Sequence, residues 1–252
     1  MQLGGGMPSG PRPRTAPDAV TRGASALGHR PAVSLLLAAG RQEQSGASLA
    51  QWAAKGAHLL ELDLLLEPGD EVRLDAPWSW TTAAVALAVW WAGGVVRLDA
   101  AADAAGGIAV IGADGDAAGA EDVFVLGDGI DGTPGAGGPA GHEAWTRAAQ
   151  PFPDQPPPPR AVPDAPAIRA GDRTLDHATA LDLAAAHGET GTLAVVVGPP
   201  GPHDTDAMAD AVTTLALIAL RPLLSARPTV VLRGVDRDVA AGDRVASWIR
   251  TV

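Results

Sequence analysis

The residues able to do chemistry in this chain are few, and most of them fall between regular elements. Gly127-Asp128-Gly129-Ile130-Asp131-Gly132 follows an apolar run and spells G-x-G-x-x-G, the spacing that brings backbone amides close to a pyrophosphate. That use needs a helix to start directly afterwards, and Thr133-Pro134-Gly135-Ala136-Gly137-Gly138-Pro139 is unfit to start one. With 31 glycines in the chain, the match reads as chance. Asp114, Asp116, Glu121 and Asp122 cluster as calcium ligands do, but they lack the EF-hand spacing and read as a solvated acidic loop. His203, in the segment Gly198–Asp204, lies between an apolar run and a helical pattern, where open α/β sheets bind ligands. The plainer reading is a loop histidine without a partner. Trp78, Trp80, Trp90 and Trp91 concentrate in one stretch. Trp90 and Trp91 read as core, whereas Trp78 and Trp80, in a loop, stay open between packing and stacking on a ligand. There is no serine nucleophile elbow, Cys/His pair or metal-spaced histidine pair.

The elements that must position these residues are organised around Gly69–Leu98. Pro68-Gly69-Asp70 is a turn, Glu71–Leu74 alternates like a strand, and Ala76-Pro77 forces an extended exit. Thr81 and Thr82 offer N-cap hydroxyls to Ala83–Ala92, a helix apolar on nearly every side that therefore has to be buried. Gly93-Gly94 ends it, and Val95–Leu98 resumes as a strand, which makes a right-handed parallel β-α-β unit.

Before this unit, Met1–Pro17 reads as a disordered tail, Asp18–Leu27 as a short helix and Ala32–Ala38 as a buried strand. Gly40–Gly46 reads as a turn, and Ser48 as the cap of a helix reaching Leu60 with Leu49, Trp52, Ala53, Gly56, Leu59 and Leu60 on one face. After it, Ile108–Ile111 and Asp122–Leu126 are strands. Gly127–Gly141 is a Gly/Pro-rich loop, His142–Gln150 a helical turn carrying Trp145, and Pro151–Pro166 an extended proline-rich segment that serves as a linker. Asp176–His187 is a helix stopped by Gly188, Leu193–Val197 a strand, and Asp206 caps a helix to about Leu220 that Pro222 disrupts or ends. Thr229–Leu232 is a strand, and Asp236–Ile249 an amphipathic helix with Val239, Val245, Trp248 and Ile249 inward. The alternation implies one α/β domain over 18–252 with a flexible insert at 127–166, built on a mostly parallel sheet.

A helix running Ser48–Leu60 into Pro68-Gly69-Asp70-Glu71-Val72, then a strand, a tryptophan loop, an apolar helix and Gly93-Gly94-Val95-Val96-Arg97-Leu98, resembles the start of the AMP-binding (adenylate-forming, acyl-CoA synthetase-like) family. More narrowly, it resembles short proteins similar to the N-terminal part of those enzymes. The resemblance covers 24–99 well and 161–250 loosely, and implies a layered α/β/α sandwich. Thr174-Leu175-Asp176-His177 matches the family's L-T-H segment, which should follow a phosphate-binding T-S-G-[TS]-T-G-x-P-K-G loop. In its place stands Ala167-Ile168-Arg169-Ala170-Gly171-Asp172-Arg173, with one glycine, no Ser/Thr cluster, no lysine and an aspartate that repels triphosphate. The sole lysine, Lys55, sits far from either lysine motif of the family, and His203 lies in a segment similar to its P-L-x-H. The resemblance thus implies a degenerate, truncated synthetase-like protein, with no catalytic residue and no metal. Any weak nucleotide or acyl binding would use Trp78, Arg169, Arg173 and His203, and ATP or AMP is not expected as a firmly held cofactor. The alternative is a non-enzymatic interaction or regulatory module on the same scaffold, with a protein partner.

Bulk properties narrow the partners. A net charge of −11 argues against general affinity for nucleic acid or anionic membrane. No run reaches the ~18 apolar residues of a membrane span. Zero cysteines exclude disulfides and thiolate sites, and a cytoplasmic location is expected.

Overall fold

The computed structural model describes residues 10–99, 107–129, 131–133, 141–187, 191–197, 205–243 and 245–251. The first nine residues of the expected tail, the expected stop at Gly188 and the segment Gly198–Asp204 lie outside them.

Helix α1 (Ala16–Leu27) starts at a capping box: the Asp18 N–H donates to Thr15 Oγ1 and the Thr15 N–H to Asp18 Oδ2. β1 (Pro31–Leu37) turns at once into β2 (Gly40–Ser45), its antiparallel neighbour. The stretch expected to be a turn is therefore a strand. It is polar because it lies at a sheet edge, where charge blocks further pairing. Ser45 rather than Ser48 caps α2 (Gly46–His58), accepting from the Ser48 N–H at 3.1 Å; a π turn (Leu59–Asp63) follows. β3 (Glu71–Asp75), α3 (Trp80–Trp91) and β4 (Val95–Arg97) form the expected parallel β-α-β unit. Ser79, not a threonine, caps α3, so Trp80 is its first residue. All twelve residues of α3 are buried.

β5 (Ile108–Ile111), β6 (Asp122–Val125), β7 (Glu143–Ala144), α4 (Trp145–Ala149), β8 (Pro166–Ala170) and β9 (Arg173–Asp176) complete one sheet in the order β7-β6-β5-β3-β4-β8-β9. α5 (His177–Ala186), β10 (Thr192–Val197), α6 (Thr205–Ala219), α7 (Arg221–Ser225), β11 (Thr229–Arg233), a 3-10 segment (Arg237–Asp243) and β12 (Val245–Thr251) follow, and the second sheet runs β12-β10-β11-β1-β2. All neighbours pair in parallel except β2 and β9. This is a mixed α/β fold with mostly parallel sheets and helices on both sides, and its strands divide between two sheets. α3 touches β1 and β4, and α6 touches β8, β11 and β12, so both helices lie between the sheets and share one core with each.

The closing helix expected at Asp236–Ile249 is instead the 3-10 segment and β12. Val239 is 53% exposed, and Trp248 and Ile249 pack on different faces of the sheet. A helix would leave the outer edge of β10 unpaired beside two buried faces, and β12 satisfies those backbone groups. Residues 151–165 carry no regular element but are tied to the helices. Lys55 Nζ donates to the Gln150 and Phe152 carbonyls, Trp91 Nε1 to the Pro157 carbonyl, and Arg160 Nη1 to the Leu66 carbonyl.

Candidate functional site

Strands β3, β6 and β11 end near one another, between the two sheets, where the loops before helices are free to carry function. Arg233, last residue of β11, reaches across: Nη1 donates to the Trp78 carbonyl at 3.3 Å and Nη2 pairs with Asp128 just beyond β6. From β2, Gln42 Nε2 donates to the Asp128 carbonyl at 2.7 Å, while Gln42 Oε1 accepts from Trp80 Nε1 at 3.3 Å. Trp80 leans on Trp52, with ring centroids 5.9 Å apart and tilted by 48°. Trp78 is half-buried against the core at the rim of this cluster. The arrangement offers the half-buried Trp78, one arginine and a carboxylate, whereas Trp80, 2% exposed, is a core residue. That set suits holding a planar or acyl group, and among the described residues it carries no nucleophile–base pair. Among the described residues no three His, Asp or Glu side chains could share a metal ion. His203 lies outside the described residues.

Arg169 and Arg173 are not part of the cluster. In the β8–β9 hairpin Arg169 faces Thr174 and Ala170 faces Arg173, so only Gly171-Asp172 forms the turn. Gly171 takes φ +55°, as the first central position of a II′ hairpin turn requires. Opposed residues share a sheet face, and Ala170 and Leu175 belong to the inter-sheet core. Arg173 is therefore on the inner side, exposed beyond the core, and Arg169 on the outer side, paired with Glu71. Two arginines four residues apart point away from each other and cannot converge on one phosphate. The turn's own amide is occupied, because the Gly171 N–H donates to Asp99 Oδ2 at 2.5 Å.

The G-x-G-x-x-G stretch folds on itself. The N–H groups of Gly127, Gly129 and Gly132 donate to the carbonyls of Gly132, Thr133 and Gly129, so the three glycine amides are spent within the stretch. Thr133 donates to Asp131 and holds that carboxyl below the usual range. Trp90 and Trp91 are core residues, and Trp90 Nε1 donates to the Ala167 carbonyl at 2.7 Å.

Two buried ionisable groups are structural. His177, 2% exposed, meets the Trp90 ring edge-on at 6.5 Å and its Nδ1 accepts from the Ala16 N–H; burial pushes it down to about 4. Arg221, 1% exposed, donates to the Gly191 and Pro228 carbonyls, and burial lowers it to about 10. Sequence reasoning missed Arg233. Its only signal was an arginine closing the apolar run Thr229–Leu232, at the carboxyl end of a strand.

No protein-family model matches the chain. A stretch of 59 residues, 23% of the chain, is 44% identical to part of a TIGR03089 family protein of Mycobacterium tuberculosis, covering 24% of it. Solved structures resemble nearly all of the chain. A long-chain-fatty-acid-CoA ligase of Archaeoglobus fulgidus matches 94% of it and 50% of the ligase, with a TM-score of 0.65 at 14% identity. The N-terminal domain of FACL13 from Mycobacterium tuberculosis matches 92% of it and 61% of that domain, with a TM-score of 0.64 at 13% identity. An anthranilate CoA ligase in complex with anthranoyl-AMP matches 90%, with a TM-score of 0.62 at 11% identity, over 46% of its own chain. The fold is that of the N-terminal part of acyl-CoA ligases, and the chain spans about half the length of the ligases it matches. At these identities the likeness speaks for fold.

Proposed function

We propose that this is an acyl-CoA-ligase-like protein that binds an acyl or adenylate-type ligand in the crevice of Trp78, Asp128 and Arg233, and makes no acyl-adenylate by itself. The observation that carries the second half is the β8–β9 hairpin: its two-residue turn leaves no room for a loop of amides and hydroxyls, and its arginines face opposite ways. Charge-assisted hydrogen bonds contribute about 1.5–3 kcal/mol each, so lacking three or more costs a factor of at least ~10³ in binding or rate. Acid-dependent ATP–pyrophosphate exchange by the purified chain should stay at background, and exchange above it overturns this reading.

The first half is tested by calorimetric titration with ATP, AMP, acyl-CoA and a non-hydrolysable acyl-adenylate. Heat with the acyl-adenylate that Arg233→Ala abolishes supports it. A second reading, a scaffold that binds only other proteins, is favoured by the crevice groups being already paired with one another, and no heat with any of the four ligands selects it. The same reading takes 18–252 as one cytoplasmic domain with an insert at 127–166. Limited proteolysis should cut that insert first, and before Pro151, since Lys55, Trp91 and Arg160 hold the part beyond.

A further inference from the structure

Three arginines stand in register on adjacent parallel strands of the seven-stranded sheet: Arg73 of β3 faces Arg97 of β4, and Arg97 faces Arg169 of β8. Neighbouring strands set such side chains about 4.8 Å apart at their roots. Val72, Leu74, Val96 and Ile168 alternate with them and belong to the inter-sheet core, so all three arginines project from the outer face. Two carboxylates on this face hold two of them. Glu71 pairs with Arg97 and Arg169, and Asp99 with Arg97. Among the described residues, Arg73 is left without a carboxylate.

Arg73 is only 8% exposed. Its Nη1 donates to the Ala118 carbonyl at 3.1 Å, in the loop 112–121 that covers it. Its Nε and Nη2 are both buried and have no hydrogen-bond partner. Those two N–H groups form one edge of the guanidinium, the side-on fork whose parallel donors match two oxygens of a carboxylate or phosphate. A buried charge with unmet donors is costly, and the Ala118 carbonyl does not neutralise it. Asp75, next on the same face, is engaged elsewhere, accepting from the Asp116 N–H at 3.1 Å.

We propose that the Arg73 fork is a binding site for a small oxyanion, a carboxylate or phosphate group, held between β3 and the loop 112–121. The site is independent of the crevice, since it lies on the sheet face turned away from the inter-sheet core. The loop lies close over the strand: a Cβ on Gly115 would stand 2.6 Å from the Asp75 carbonyl. Entry therefore needs the loop to lift, and the group admitted is small.

The test is thermal unfolding of the full chain in chloride buffer of constant ionic strength, titrated with phosphate or with acetate. The Tm of the unaltered chain should rise with the logarithm of anion concentration above the Kd, by about 3–5 °C at tenfold the Kd. Arg73→Met should be unresponsive yet as stable as the unaltered chain in chloride, because it removes an unpaired buried charge. Arg73→Lys, which keeps the charge and loses the fork, should respond less. A rise with phosphate alone assigns a phosphate group, and a rise with both assigns a general oxyanion site. The proposal fails if neither anion raises Tm, or if Arg73→Met or Arg73→Lys responds like the unaltered chain. It fails equally if Asp116→Asn or Glu121→Gln lowers Tm while the unaltered chain ignores both anions, since the fork then belongs to the loop's own carboxylates.

Discussion

On the outer face of the five-stranded sheet, Leu36, Ala194, Val230 and Leu232 pack with Ala240 of the 3-10 segment, whereas the outer face of the seven-stranded sheet carries Glu71, Arg73, Arg97 and Arg169 on three neighbouring strands. The strands record the difference. β1 and β10 read as apolar runs, as strands buried on both faces do, while Glu71–Asp75 alternates charge with valine and leucine. Both sheets meet the same helical layer on their inner faces. The seven-stranded sheet thus depends for dry packing at β3 and β4 on one face only, and its other face is free to hold charge.

The inner face should dominate stability. Trp90→Ala removes a fully buried ring and the donor to the Ala167 carbonyl, and should cost about 3–5 kcal/mol in urea unfolding. A loss under about 1 kcal/mol would mean the layer between the sheets is not the main core.

The outer faces should then separate. Leu232→Ala, on the covered face, should cost about 2–4 kcal/mol, and Arg169→Ala, on the open one, less than about 0.5 kcal/mol, because that arginine is 38% exposed and its ion pair is screened. Equal losses would mean that the two outer faces are covered alike.

Acid should act through the covered layer too. His177 titrates near 4 when folded and near 6.5 when unfolded, so between those values the unfolded chain binds the extra proton. Its contribution is complete above pH 6.5 and is lost as pH falls to about 4, roughly 3 kcal/mol in all. His177→Gln should flatten that slope, and a slope unchanged in the variant assigns it to other groups.

Glu71→Gln should fall between the two outer-face substitutions. Among the described residues it frees Arg97 from one of two carboxylates and Arg169 from its only one, for about 0.5–1 kcal/mol, and the loss should shrink in high salt. A salt-independent loss would show that the outer ion network is dry.

Composition and order made α3 legible, because a helix with no polar face has one physical solution, burial on all sides. The β-α-β unit around it was legible for the same reason, with Gly93 at φ +84° closing the helix. The cap positions were displaced by two or three residues, since several hydroxyls compete near each start and only tertiary entry angles choose among them. β2 and β12 were not legible. Each is an edge strand: β2 is polar because nothing covers its sequence, and β12 depends on pairing with β10, about fifty residues earlier. In the site, Trp78 was found from its address between strand and helix, but its partner Arg233 lies 155 residues away in sequence.

By itself, then, the sequence determined the periodicities: which runs must be covered on all sides, which alternate, and where glycine or proline stops them. It also determined that the hairpin Ala167–Asp176 lacks the donors of a phosphate loop. Tertiary structure alone decided the division into two sheets, the opposite facing of Arg169 and Arg173, and the leftover fork of Arg73. The physical reason is register. A side chain's face depends on which strand pairs with which, and at what offset, and those pairings, from a hairpin to strands nearly two hundred positions apart, run through backbone hydrogen bonds that every residue type makes alike.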